Sequence, residues 1–184
     1  MKQKTAIITG GNKGIGLSIT RELVNANYFV IVGARSENNL SKKFTKNVLF
    51  VKVDLEQEKS HKLLVETAAK QTGRLDLYIN NVGMSQWKKI SELDENFLDK
   101  MLAVNLKSAF WGCKSAISIM QKGSSIINIS SLASKRGSVN NSAYCAAKFG
   151  MNGLTQSLSK ELGPLGSRVN ALCPVLIPTD GLIK

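Results

Sequence analysis

The sequence predicts a doubly wound α/β domain, in which helices cover both faces of a parallel sheet. Two observations lead to this fold class. Short apolar runs alternate along the chain with longer amphipathic stretches, and the runs are rich in aliphatic, often β-branched residues, as in strands buried on both faces. With 184 residues and no linker rich in Pro, Gly or Ser, the chain is expected to form one domain over residues 1–184.

The elements are predicted in a regular order. Strands are expected at residues 5–9, 29–32, 48–53, 75–80, 125–130 and 168–172, and helices at residues 15–26, 57–72, 97–120 and 144–162. The first helix shows the pattern clearly, because Ile15, Ile19 and Leu23 recur at four-residue spacing on one face. His61, the only histidine, lies on the second helix and is predicted to face solvent, because no acid or nucleophile partner is evident.

Bulk composition argues against two classes of protein. The net charge is +12, but the lysines are scattered and no basic run is interleaved with aromatic residues, so a nucleic-acid binder is not expected. A positive surface would instead raise the local concentration of an acidic ligand or carrier. No apolar run approaches the length of a membrane span, so no membrane association is expected.

The cysteines and the amino terminus indicate a cytoplasmic location. Cys113, Cys145 and Cys173 are odd in number, far apart and in no paired motif, so we predict free thiols in a reducing compartment. The first apolar run is too brief for the hydrophobic region of a signal peptide. No cluster of His, Cys or carboxylate residues has the spacing of a metal site.

A glycine-rich turn joins the first strand to the first helix. Residues 9–16 read TGGNKGIG, with the spacing GxxxGxG over Gly10, Gly14 and Gly16. Glycines let the backbone approach a pyrophosphate, and a helix N-terminus offers free N–H donors and a favourable dipole. Because this turn lies between a strand and a helix, we predict that it binds a dinucleotide and is more than a tight turn.

The end of the second strand bears on the choice of nucleotide. An Asp or Glu at this point binds the ribose 2′-OH of NAD, whereas an Arg accommodates a 2′-phosphate. Residues 33–36 read GARS, with Arg35 and no acid at the strand tip, and Lys13 adds a second cation in the glycine turn. These cations favour NADP(H) over NAD(H), although Glu37 is close by and either cation could simply be solvated.

Tyr144 and Lys148 stand at i and i+4 on the last predicted helix, with Ser131 upstream. This spacing places the two side chains one above the other. A phenol ionises at a pKa of about 10, and a neighbouring ammonium favours the phenolate, so the pKa of Tyr144 is expected to be lowered. Many amphipathic helices carry such a pair by chance, so its weight depends on the motifs that precede it.

Taken together, these motifs resemble those of the short-chain dehydrogenase/reductase family, in its single-domain branch, over nearly the whole chain. The matching residues are the glycine turn, Asp54 after the third strand, residues 80–83 (NNVG) after the fourth, Asn105 within VNL, Ser131, and the pair Tyr144 and Lys148. Single motifs arise by chance, whereas six in order hardly do. The resemblance implies a Rossmann-type doubly wound sheet.

The resemblance also implies roles for individual residues. Tyr144 would exchange a proton with the carbonyl or hydroxyl oxygen, and Lys148 would bind the nicotinamide ribose and lower the pKa of Tyr144. Ser131 would donate a hydrogen bond to the substrate oxygen. Asn105 would hold a water that links Lys148 to solvent. The residues implied to bind the cofactor are Gly10, Asn12, Lys13, Gly14, Ile15, Gly16, Arg35, Asp54, Leu55, Asn81, Gly83, Tyr144, Lys148, Ile177 and Thr179.

The carboxyl-terminal region departs from the family pattern in two ways. Val175 follows Pro174 where the family has glycine, and because valine resists positive φ values, this loop is expected to follow a different path. Residues 180–184 end the sequence where family members continue into a substrate-covering helix and a last strand. The fold is therefore expected to lack this lid, and the sixth strand to be an unprotected edge.

The resemblance thus implies an NADP(H)-dependent oxidoreductase acting on CH–OH groups, which interconverts a ketone or 3-oxoacyl group and a secondary alcohol. The similarity is to 3-oxoacyl-[acyl-carrier-protein] reductases and carbonyl reductases. The expected substrate is a small carbonyl or alcohol compound, either free or carried on an acidic carrier protein. The chain is also expected to form a homo-oligomer, a dimer or tetramer. The alternative is a catalytically impaired nucleotide-binding fragment or a regulatory subunit, which Val175 and the short ending favour and the catalytic set opposes.

Overall fold

A computed structural model describes residues 3–44 and 46–177 of the chain. Its strands are β1 (Thr5–Thr9), β2 (Phe29–Ala34), β3 (Val48–Lys52), β4 (Leu77–Asn80), β5 (Ser125–Ile129) and β6 (Arg168–Leu172). Its helices are α1 (Gly14–Asn25), α2 (Leu40–Lys43), α3 (Glu58–Thr72), α4 (Glu95–Leu102), α5 (Ser108–Ile117) and α6 (Ser142–Leu162). A π-helical segment, Ala103–Lys107, joins α4 to α5.

All the strands belong to one sheet in the order β3-β2-β1-β4-β5-β6, and every neighbouring pair is parallel. The chain therefore starts in the middle of the sheet, winds outward through β2 and β3, and returns to build the other half from β4. Between β1 and β4 the direction of winding reverses, which leaves a crevice at the carboxyl ends of the strands where ligands bind in such folds. The predicted doubly wound parallel sheet is confirmed.

Helices cover both faces of the sheet. On one face α3, α5 and α6 enclose a core that includes Leu64, Cys113 and Met151. On the other face α1 and α2 pack against the strands, with Leu40 of α2 among the fully buried residues. The central strand β1 is buried along its whole length. This double burial explains why the strands have continuous apolar runs and no alternation of polar residues.

Two helical features differ from the prediction. The helix α2 was not predicted, because four residues are too few to show a helical period. The single helix expected over residues 97–120 is instead divided into α4, the π-helical segment and α5. The π-helical segment adds one wider turn, which leaves the apolar stripe along the helices almost continuous. The hydrophobic periodicity of the sequence therefore does not reveal the division.

The strand β6 lies at the edge of the sheet, as predicted. Within residues 3–44 and 46–177, no strand pairs with its outer side. Its residues alternate, so that Val169 enters the core while Arg168, Asn170 and Leu172 are exposed. This half of the sheet is thus covered by helices on one face and open on the other.

Candidate active site

The glycine turn requires glycine at several positions, of which Gly10 and Gly16 are the clearest. Gly10 has φ of +66°, in the left-handed region that other residues rarely adopt. At Gly16 an added Cβ would lie 2.2 Å from the Gly10 carbonyl oxygen, so α1 can approach the turn only without a side chain there. The side chain of Lys13, directly before α1, caps none of the helix amides. The turn therefore offers bare backbone at the N-terminus of a helix, which suits a phosphate group.

Two asparagines hold this turn in place. Asn81 donates from Nδ2 to the carbonyl oxygens of Thr9 at 2.9 Å and Gly10 at 3.2 Å. Asn12 donates from its own Nδ2 to the Ser36 carbonyl oxygen at 2.6 Å. The turn is thereby tied both to the segment after β4 and to the segment after β2. Two of the predicted cofactor residues thus have a demonstrable part in shaping the site.

A cavity of about 270 Å³, called the outer cavity below, lies at the carboxyl ends of β1, β2 and β3. The predicted residues that line it are Gly10, Asn12, Lys13, Arg35, Asp54, Leu55 and Gly83. Lys100 and Glu56, also in its lining, form an ion pair with each other. Within the described part of the chain, neither Lys13 nor Arg35 forms an ion pair. The outer cavity therefore has two cations available to an anionic ligand.

A second cavity of about 220 Å³, the inner cavity, lies beside the first. It brings together predicted residues from distant parts of the sequence, namely Ile15, Asn81, Gly83, Ser131, Tyr144 and Lys148. Gly83 and Met84 line both cavities. The two cavities are thus neighbouring parts of one cleft, with cations on one side and the tyrosine and lysine on the other.

The inner cavity places a serine, a tyrosine and a lysine side by side. The Nζ atom of Lys148 lies 5.7 Å from the centroid of the Tyr144 ring, as their spacing on one helix predicts. Ser131 lines the same cavity as Tyr144, and its hydroxyl oxygen accepts a hydrogen bond from the Ala133 amide at 3.1 Å. The hydroxyl of Ser130 donates instead to the Lys148 carbonyl oxygen at 3.4 Å. Of the two adjacent serines, the geometry therefore favours Ser131 as the partner of the phenol.

Burial determines the pKa values of the two ionisable groups. Lys148 is only 3% exposed, and burial lowers its pKa to about 8. Burial also raises the pKa of Tyr144, and the neighbouring Ser131 side chain offsets only part of this rise. The predicted lowering of the Tyr144 pKa is therefore wrong for this structure, because desolvation of the phenolate dominates. The phenol keeps its proton at neutral pH, the form that can donate to a carbonyl oxygen.

Asn105 lies in the π-helical segment and is fully buried. Its Oδ1 accepts a hydrogen bond from the Met84 amide, and its Nδ2 donates to the Met101 carbonyl oxygen, both at 3.0 Å. A Cβ at Gly83 would lie 3.1 Å from this Oδ1 and 3.7 Å from the Nζ of Lys148. Asn105 therefore fixes the segment between the two cavities, and π-helical turns often occur at such sites. Its implied role in holding a water stays a prediction.

The carboxyl-terminal predictions have mixed outcomes. Val175 lines the inner cavity, and it is not among the residues with positive φ in the described part of the chain. The valine therefore fits this loop without left-handed strain, while the Leu132 amide donates to the Pro174 carbonyl oxygen at 2.8 Å. Ile177 lines neither the outer nor the inner cavity. Thr179 lies outside the described residues.

His61 is fully buried, so the prediction that it faces solvent is wrong. It continues the buried stripe of Leu64, Val65 and Ala68 along α3, at the spacing i, i+3, i+4 and i+7. That spacing was visible in the sequence and could have indicated burial. Burial lowers the pKa of His61, so the imidazole is neutral at neutral pH.

The cleft fits a dinucleotide cofactor. Its outer cavity contains the cations Lys13 and Arg35 beside the end of β2, where the adenosine ribose of a dinucleotide would lie in a doubly wound fold. Between the cavities, the glycine turn and Gly83 leave no Cβ in the way of a ligand. The inner cavity ends at Tyr144 and Lys148, whose hydroxyl and amine suit a ribose and a reacting oxygen. The residues present therefore agree with the cofactor class implied by the sequence.

Two larger cavities contain none of the predicted site residues. One, of about 470 Å³, lies at the amino ends of the strands and is bordered by Lys4, Arg74, Lys122 and Arg168. The other, of about 510 Å³, lies between α5 and α6. Among residues 3–44 and 46–177, no group of His, Cys, Asp and Glu could hold a metal ion, and no helix is long and apolar enough to cross a membrane. The cysteines are free thiols, as predicted.

Comparisons with known proteins agree with this geometry. The chain matches the family described as short chain dehydrogenase over residues 4–184. The 3-oxoacyl-[acyl-carrier-protein] reductase FabG of Buchnera aphidicola is 33% identical over 183 residues, which cover 96% of this chain and 75% of that protein. The resemblance seen in the sequence motifs is thereby confirmed.

Solved structures show the same architecture. A short-chain dehydrogenase/reductase from Brucella melitensis, described as a glucose/ribitol dehydrogenase, superposes with a TM-score of 0.91 at 27% identity, covering 98% of this chain and 77% of that one. ElxO with NADP bound superposes with a TM-score of 0.90 at 28% identity, with the same coverage. The chain thus spans about three quarters of the length of these proteins.

Proposed function

The chain belongs to the short-chain dehydrogenase family, and we propose that it is an NADP(H)-dependent oxidoreductase that interconverts a ketone or 3-oxoacyl group and a secondary alcohol. The observation that carries this proposal is the convergence of Ser131, Tyr144 and Lys148 on the inner cavity. A protein that only binds nucleotide has no need of a proton donor beside a buried amine at that point. The similarity to a 3-oxoacyl-[acyl-carrier-protein] reductase supports the substrate class.

The cofactor would be held along the whole cleft. When bound, its nicotinamide supplies or accepts the hydride. The glycine turn would bind the pyrophosphate, with Asp54 and Leu55 beside the adenine and Arg35 and Lys13 near the 2′-phosphate. The preference for NADP(H) rests on these two cations, and it is supported by the similarity to a protein solved with NADP bound.

The chain's own residues would control the proton. Tyr144 holds its proton at neutral pH and would donate it to the carbonyl oxygen of the substrate, or remove the hydroxyl proton in the reverse direction. Ser131, beside Tyr144 in the inner cavity, would orient the same oxygen and stabilise the charge that develops on it. Lys148 would bind the ribose hydroxyls and, once protonated, favour the phenolate that remains after transfer.

Partners and location belong to the same proposal. The substrate is a small carbonyl or alcohol compound, and the net charge of +12 suits delivery on an acidic carrier protein. The groove between α5 and α6 exposes Phe110 and Ile117, which supports a homo-oligomer, a dimer or tetramer, paired through these helices. Free cysteines accord with a cytoplasmic location.

The decisive experiment is an assay of cofactor oxidation. Purified protein is mixed with NADPH or NADH and a panel of ketones that includes a 3-oxoacyl thioester, with Tyr144→Phe as the control. We expect ketone-dependent oxidation of NADPH that exceeds that of NADH and is lost in the variant. Equal turnover by Tyr144→Phe would contradict the mechanism. Tight NADPH binding without turnover of any ketone would favour the alternative, a nucleotide-binding or regulatory subunit.

A further inference from the structure

A buried histidine lies directly behind the wall of the outer cavity. His61, on α3, contacts Leu55 and Ser108, both of which line that cavity. Its Nε2 lies 2.9 Å from the Leu55 carbonyl oxygen, and its Nδ1 lies 2.8 Å from the hydroxyl of Tyr78. Both ring nitrogens are therefore engaged, although the proton transfer proposed above uses neither.

The partners determine where the imidazole proton sits. A carbonyl oxygen can only accept, so the hydrogen bond to Leu55 requires a proton on Nε2. The neutral ring then has an unprotonated Nδ1, which accepts from the Tyr78 hydroxyl. Tyr78 is fully buried, and burial raises its pKa, so this hydroxyl remains a donor. Tyr78 thus fixes the tautomer in which His61 donates to the Leu55 carbonyl oxygen.

The hydrogen bond to Leu55 orients a peptide group whose other side faces Asp54. The Leu55 carbonyl and the Glu56 amide belong to one planar trans peptide, so they point in opposite directions. Because His61 draws the carbonyl toward the core, the Glu56 amide points outward, where it donates to Oδ1 of Asp54 at 3.2 Å. A connected series of hydrogen bonds therefore runs from the core to a carboxylate that lines the outer cavity.

We propose that His61 is a positioning residue for the nucleotide, which acts through the peptide between Leu55 and Glu56 to set the orientation of the Asp54 carboxylate. With Oδ1 held by the Glu56 amide, the other carboxylate oxygen is directed to a donor on the adenosine half of the cofactor. This inference rests on the proposed function, since it takes the outer cavity to hold that half. It also explains why a polar pair, His61 and Tyr78, lies inside an apolar core, where aliphatic residues would avoid the free-energy cost of burying polar groups.

Three variants separate positioning from packing. His61→Leu fills the same space but removes both hydrogen bonds. His61→Gln keeps an amide donor near the position of Nε2, so it is the conservative rescue. Tyr78→Phe keeps the ring in the core and removes only the donor that fixes the tautomer. Dissociation constants are measured by calorimetry for NADPH, for adenosine 2′,5′-bisphosphate and for reduced nicotinamide mononucleotide, with unfolding followed for each variant.

We expect His61→Leu to raise the dissociation constants of NADPH and adenosine 2′,5′-bisphosphate about tenfold, because one hydrogen bond to a charged group is lost. Binding of the mononucleotide and kcat at saturating NADPH should stay unchanged, and His61→Gln should recover most of the loss. When Asp54→Asn is already present, adding His61→Leu should weaken NADPH binding only slightly further, because both changes act on the same carboxylate.

The outcomes that would overturn the inference are distinct. Unchanged binding of the bisphosphate to folded His61→Leu, or equal weakening of both halves of the cofactor, would leave His61 as a packing residue only. If His61→Leu does not fold, unchanged binding of adenosine 2′,5′-bisphosphate to Tyr78→Phe decides against the inference in the same way. If the wild-type protein binds no NADPH, the proposed function fails instead. Hydrogen exchange of the Glu56 amide then tests the inference directly: it should accelerate in Tyr78→Phe, and an unchanged rate would refute it.

Discussion

The inner and outer cavities lie side by side in one cleft, yet their polar groups are in opposite surroundings. In the inner cavity Lys148 is almost fully buried and Tyr144 is half-buried, and burial displaces the pKa values of both. In the outer cavity Arg35 and Asp54 are exposed to solvent. The same cleft therefore joins a site where ionisable side chains are buried to one where they are exposed to solvent.

This difference indicates that the two cavities have different functions. In the inner cavity burial lowers the pKa of the Lys148 amine toward neutral and keeps the proton on the Tyr144 phenol, whereas the exposed charges of the outer cavity attract and orient an anionic ligand and are screened by salt. Substitutions in the inner cavity should therefore change the rate of the chemical step. Substitutions in the outer cavity should change the affinity for the cofactor and leave that rate unaltered. Four predictions test this division, in order of decreasing effect.

The largest effect is expected for Tyr144→Phe. Loss of the proton donor should lower kcat by roughly 10² to 10⁴, the usual contribution of a positioned acid or base, while the dissociation constant of NADPH stays nearly the same. Steady-state kinetics and calorimetry measure the two quantities. Tyr28→Phe is the matched control, because Tyr28 lies in the cavity at the amino ends of the strands. Weaker NADPH binding with kcat unchanged would reverse the assignment of the two cavities.

Gly16→Ala tests the turn between the strand and the helix. A methyl group there would meet the Gly10 carbonyl oxygen, so the backbone must shift at a cost of about 1 to 3 kcal/mol. If that cost falls on cofactor binding, KM for NADPH should rise between about fivefold and about 150-fold. Gly153→Ala is the control, because nothing lies within 4 Å of an added Cβ at that position in α6. A normal KM in Gly16→Ala would show that the cofactor does not depend on this turn.

The pH profile tests the inner cavity without a substitution. Because burial lowers the pKa of Lys148 from 10.5 to about 8, its amine loses the proton well before an ordinary lysine does. The ammonium form is present below that pH, so kcat/KM for ketone reduction, which reports the free enzyme, should fall up to about tenfold per pH unit above it. Arginine keeps its charge at high pH, so any activity that remains in Lys148→Arg should not show this fall in kcat/KM. A flat profile from pH 7 to 10 would contradict the burial of a functional amine.

The smallest effect is expected for Arg35→Ala. An exposed cation beside a phosphate contributes on the order of 1 kcal/mol, so KM for NADPH should rise about fivefold while KM for NADH and kcat stay unchanged. The effect should shrink as salt is added, because the charge is exposed. Arg136→Ala serves as the control, since Arg136 is exposed and lines neither cavity. Equal effects on NADPH and NADH would remove Arg35 from the choice of nucleotide.

Sequence reasoning was strongest for features that depend on local pattern. The predicted strands agree with the observed ones within about two residues at each end, and the central strand β1, buried along its whole length, has a continuous apolar run. Asp54, Asn81 and Ser131 were identified from motifs in the sequence, and they line the two adjoining cavities because the carboxyl ends of parallel strands meet at one edge of the sheet. His61 was misassigned even though its spacing with Leu64, Val65 and Ala68 was present in the sequence.

By itself the sequence determined the fold class, the order of the strands and a large part of the cavity lining, including Asp54, Tyr144 and Lys148. The tertiary structure alone decided the electrostatics of that cleft: the raised pKa of Tyr144, the lowered pKa of Lys148 and the tautomer of His61. The physical reason is the range over which each effect acts. Periodicity and turn chemistry are properties of neighbouring residues, whereas desolvation depends on atoms that distant segments bring into contact only when the chain has folded.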